Sequence, residues 1–139
     1  MREILFLGKR MDDGEWVEGY LVKAVGGECM ILPVTTEHCG GAEFSEGYHC
    51  DPTTVGQYTG LKDKNGKRIF EGDICRNTRT GEIVSVKWHG TMAGYVWNKR
   101  RADGFLFDFG ELFRACDKYE VIGNIHDNKS LLNNQEAGE

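Results

Sequence analysis

Proline is nearly missing from this chain, at two residues among 139. No stretch approaches the roughly 18 consecutive apolar residues of a membrane-spanning helix. Scarce proline leaves little room for stiff, extended linkers. The opening MREILFLGKR is too short in apolar residues, and lacks the small-residue cleavage site, to direct export. A cytoplasmic location is expected. Catalytic words are missing as well: there is no GxSxG, no phosphate-cradling glycine loop and no HExxH. The chain is therefore read as a non-enzyme without a cofactor. Cysteine numbers five, an odd count with no paired framework, which fits free thiols in a reducing compartment.

Glycine is what abounds, at nineteen residues. Many glycines with few prolines suit tight turns between short antiparallel strands. Length allows one ordinary domain or two small barrels sharing an interface. Period-two and β-prone runs place strands at residues 3–7, 16–23, 29–32, 57–61, 68–70, 82–88, 95–97, 105–109 and 119–125. Val84, Val86 and Trp88 share one face by alternation, and a bend is expected at Gly19 in the second strand. Residues 35–48 are too polar and glycine-rich for a regular element and read as a long loop. Asn128 is placed to cap a terminal helical turn carrying Leu131 and Leu132.

The expectation is an all-β protein of antiparallel meanders or small SH3-like barrels with a short C-terminal helical turn. Residues 1–50 form an N-terminal meander and loop, and residues 51–139 a hairpin plus barrel half, the two joined as one unit. Leu5, Leu21, Ile31, Tyr58, Ile69, Ile74, Val84, Val86, Phe107, Val121 and Ile125 lead the predicted core.

The most informative stretch is DPTTVGQYTGLKDKNGKRIFEGDIC, residues 51–75. Asn65-Gly66 within it is a strong hairpin signal, because a type I′ turn needs positive φ at both central residues. The words TVGQYTGLKDKNGKRIFEGDI and YEVIGNIHDNKSLL, with GEWVEGYLV near the start, resemble the YopX family of bacteriophage and prophage proteins. Together they span nearly the whole chain. The resemblance implies a shared fold and a phage or prophage origin, and it brings no agreed biochemical activity with it.

Charge is unevenly spread. Residues 76–101 carry six Lys and Arg against one acid, whereas residues 1–50 carry four against nine and residues 102–139 three against eight. Arg76, Arg79, Lys87, Lys99, Arg100 and Arg101 interleave with Trp88, Tyr95 and Trp97. Cations track phosphates and exposed rings stack bases, so these residues and Trp88 form a candidate nucleic-acid face. Against it stand a pI near 5.4 and the chance for the cations to pair with acidic strands on either side.

His38, Cys39, His49 and Cys50 are residue types that zinc accepts, but adjacent His and Cys point apart on an extended chain, so no metal is expected. Glu71, Asp73, Asp51 and Asp63 are the only seed for hydrolytic chemistry. Their turn settings point instead to hydrogen bonds with their own loops. The functional expectation is a non-catalytic protein-interaction or self-assembling β module, with a homo-oligomer or a phage or host protein as partner; nucleic-acid binding is the alternative.

Overall fold

The computed structural model describes residues 3–33, 47–91, 93–101, 104–108, 112 and 115–132, with backbone alone for 99–101 and 104–108. The described chain is built from antiparallel strands in two sheets. Backbone contacts divide it into two units, Met1–Tyr58 and Thr59–Glu139. The division falls inside a strand that sequence patterning assigns wholly to the second half.

In the first unit β1 (Phe6–Lys9) pairs with β2 (Trp16–Lys23), and β2 with β3 (Cys29–Pro33). A short fourth strand, β4 (Tyr48–Cys50), lies along β3. Sequence reading places these three residues at the end of a loop. They are extended because β3 offers them a partner, a tertiary effect that a three-residue word beside glycines does not announce. On the far side of β1 lies the start of β5 (Gly56–Lys62), with Leu7 opposite Gly56 and Phe6 opposite Gln57. That pairing carries residues 56–58 into the first unit.

The strands do not close into a barrel. An isolated bridge from Arg10 to Cys50 ties β4 back to the end of β1. Beside it the Met11 N–H donates to the His49 carbonyl at 2.8 Å and the Asp51 N–H to the Lys9 carbonyl at 2.9 Å.

Gly19, where a bend is expected, is the residue at which β2 changes partners: its pairing with β1 covers Trp16 to Gly19 and its pairing with β3 covers Gly19 to Lys23. The glycine also serves close approach. A Cβ at this position would collide with the Leu32 carbonyl of β3. Among the described residues of this unit, Leu5, Cys29, Ile31, Cys50 and Tyr58 are the buried apolar ones.

In the second unit the rest of β5 turns into β6 (Arg68–Phe70). The reversal does occur at Asn65 and Gly66, but it is not type I′. Gly66 has φ +80°, whereas Asn65 keeps a negative φ. The Gly66 N–H donates to the Asp63 carbonyl at 3.0 Å, and the Asp63 N–H to the Lys67 carbonyl at 2.8 Å. This is a type I turn followed by a left-handed glycine. Its cause is Asp63, whose Oδ1 accepts from the Asn65 and Lys67 N–H groups and holds the turn in the right-handed region.

The second sheet has the order β10-β9-β8-β7-β11, made of β7 (Asp73–Asn77), β8 (Ile83–His89), β9 (Gly94–Arg101), β10 (Gly104–Asp108) and β11 (Tyr119–Asn124). One face gathers Cys75, Val84, Val86, Trp97 and Tyr119 with Ile69 and Leu112 into the core of this unit. Val84, Val86 and Trp88 do share a face, the first two buried and Trp88 at its exposed end. Of the other expected core residues, Leu21 and Val121 are half-buried and Ile125, just past the end of β11, is exposed; the Phe107 side chain lies outside the described residues. A helical turn spans residues 130–132. Asn128 does not cap it with its side chain, since its Oδ1 accepts from the Asn124 N–H at 3.2 Å and folds back toward β11.

Candidate functional site

The outward face of β2 and β3 is the most distinctive surface of the first unit. Residues opposite each other in an antiparallel pair point to the same side. Tyr20 opposite Leu32 and Val22 opposite Met30 therefore share a face, with Trp16 further along β2. Leu21, Cys29 and Ile31 point the other way. Tyr20 is 54% exposed and Val22 48% exposed, while Trp16, Met30 and Leu32 are half-buried. Gly47 lies against Met30 and Leu32, which leaves Tyr20 and Val22 the more open end. Sequence reading missed this face because it followed the core side of the strand. The available signal was β2 itself, which carries apolar residues on both sides, Tyr20 and Val22 on one and Val17 and Leu21 on the other.

The basic, aromatic segment separates into two faces. Arg76, opposite Ile83, shares one side of the sheet with Lys87, whereas Trp88, opposite Tyr95, lies on the other with Trp97. Arg76 pairs with Glu120 on β11, its Nε 3.2 Å from the carboxylate. Trp97 is 0% exposed and stacks on Tyr119 at 4.7 Å. Trp88 is 45% exposed and meets Tyr95 edge-on at 5.0 Å. Arg79 is exposed in the β7–β8 turn. Lys99, Arg100 and Arg101 lie on β9, but their side chains are outside the described residues. Among the described side chains, then, the cations and Trp88 are not brought together.

Each candidate acid with described partners is occupied by its own turn. Asp51 accepts from the Thr53 N–H at 3.0 Å and caps the 3-10 turn Pro52–Thr54. Asp63 is buried, and besides its two turn N–H groups it accepts from the Val121 N–H of β11 through Oδ2 at 2.9 Å. Asp73 accepts from the Phe70 N–H at 2.8 Å. Burial pushes the Asp73 carboxyl up to about 7, opposed by that N–H and by Lys67 and reinforced by Asp63. Burial raises the Cys75 thiol as well.

A hollow of about 470 Å³ opens beside β4, lined among others by Met11, Glu28, Cys29, His49, Cys50 and Pro52. Nearby the Arg10 guanidinium forks onto Asp12 at 2.8 Å and Asp13 at 3.2 Å and lies 3.8 Å over the Tyr48 ring. Of the four metal candidates, His38 and Cys39 are outside the described residues. His49 is exposed, and Cys50 is buried on the other face of β4. The described residues hold no group of three or more His, Cys, Asp or Glu placed to grip an ion.

The YopX protein family matches residues 6–133. The chain belongs to the YopX family. No curated protein matches it. Among solved structures, the crystal structure of protein EF1440 from Enterococcus faecalis is similar with a TM-score of 0.54 and 22% identity, covering 95% of this chain and 99% of that one. At that identity the likeness speaks for the fold alone. Among the described residues of this YopX-family chain no helix is long and apolar enough to cross a membrane.

Proposed function

We propose that this YopX-family chain is a non-catalytic protein-interaction module that assembles with a second copy of itself through the outer face of β2 and β3. What supports this most is the pairing of Tyr20 and Val22, two large apolar side chains about half exposed at adjacent positions on one strand face. Contiguous exposed apolar surface is costly to leave wet and marks an interaction site. A two-fold contact between such faces is self-complementary, since each copy offers the same residues to the other. Origin in a phage or prophage and residence in the bacterial cytoplasm belong to the same proposal, and a phage or host protein is the competing partner.

The nucleic-acid alternative draws on Trp88 and Tyr95 near the turn between β8 and β9, but Arg76 is engaged by Glu120 and Trp97 is in the core. Light scattering with mass determination separates the readings. A mass of two or more chains at micromolar concentration, falling to one chain in Tyr20→Lys with Val22→Lys, is expected. A single-chain mass throughout, with salt-sensitive capture of a labelled single-stranded oligonucleotide, would favour the alternative.

A further inference from the structure

Cys29 and Cys50 face each other in register across β3 and β4. Both are buried on the inner side of the first sheet, and both line the same hollow. Directly opposed residues of an antiparallel pair have Cα atoms about 4.5 to 5.5 Å apart, inside the span of roughly 4.4 to 6.8 Å that a disulfide bridges. Neither thiol is committed elsewhere by a strong bond. Cys50 Sγ donates to the Tyr48 carbonyl of β4 at 3.4 Å and Cys29 Sγ to the Gly27 carbonyl in the turn before β3 at 3.9 Å, both weak contacts. The remaining described cysteines have no such neighbour: Cys75 stands opposite Val84 and Val121, and Cys116 begins a 3-10 turn.

We infer that Cys29 and Cys50 form a reversible dithiol–disulfide couple at the floor of the hollow beside β4, oxidised by a small disulfide of the glutathione type. One thiolate of the pair attacks the small disulfide, forming a mixed disulfide and releasing one glutathione thiolate. The second cysteine, rotated about its Cα–Cβ bond, then attacks the protein sulfur of that mixed disulfide and releases the other. Two cysteine protons end on two glutathione thiols, and the pair of electrons lost by the cysteines is gained by the oxidant. The cross-link fixes the rung where β3, β4 and the Arg10 bridge meet, and it changes the lining of the hollow.

The test uses the full chain equilibrated with stepped ratios of oxidised to reduced glutathione, followed by acid quench, thiol counting in denaturant and peptide mapping by mass. The expected result is a fall from five free thiols to three, with the loss of two hydrogens, no retained glutathione, and a Cys29–Cys50 linked peptide. Cys29→Ser and Cys50→Ser should each lose the internal link. A thiol count that stays at five, a glutathione adduct that persists in place of the link, or a link made to Cys39, Cys75, Cys116 or another chain would overturn the inference. None of these readouts depends on self-assembly.

Discussion

A carboxylate raised by burial carries a pH signature that its geometry alone does not. Asp73 in the folded chain titrates near 7, above the ordinary value of 3.8. The folded state therefore holds a proton that the unfolded chain has already released between those values, and stability from this group is present in acid and lost as pH rises through 7. Asp73→Asn keeps an acceptor for the Phe70 N–H without the ionisation. Relative to the parent, the variant should gain stability steadily from about pH 4 to about pH 7, by up to roughly 1.4 kcal/mol per pH unit. Urea midpoints measured for both proteins across that range check this, and a constant difference would refute it. Asp63 predicts the opposite kind of result. Its two oxygens serve three backbone donors, so Asp63→Ala strands the Asn65, Lys67 and Val121 N–H groups at a cost on the order of 3 kcal/mol. Denaturant unfolding measures that loss.

Strands were legible wherever alternation ran long enough. β2 and β6 have the limits that their sequence patterns imply and β8 is displaced by one residue, whereas β9 runs from Gly94 to Arg101, well beyond the expected 95–97. What sequence hid were features created by a neighbour. β4 becomes a strand because β3 is beside it, Gly19 is required because the Leu32 carbonyl presses on it, and the β5–β6 turn takes its type from a side chain two residues earlier. The same limit holds for the candidate sites. Composition shows that residues 76–101 are basic and aromatic, but only register shows that Arg76 and Lys87 lie across the sheet from Trp88. Gly19→Ala follows from this scale of description. Its methyl cannot fit without parting β2 from β3, so a loss of roughly 1 to 3 kcal/mol is expected, with Gly26→Ala, where nothing lies within 4 Å, as a near-neutral control.

At the scale of the molecule, each unit has buried apolar residues, and those of the second gather into a core. Ile69 is fully buried and Val86 nearly so. Ile69→Ala should cost about 2 to 5 kcal/mol, read from the denaturant midpoint, and a loss under half a kcal/mol would refute its place in the core.

The Asp63 carboxylate reaches 58 residues along the chain to the Val121 amide, and the Lys64 amide donates to the Tyr119 carbonyl beside it. As the polypeptide leaves the ribosome, the Asn65–Gly66 reversal emerges long before its last hydrogen-bond donor exists. The signature hairpin is thus completed only once Val121, 58 residues beyond Asp63, has emerged and can supply that donor.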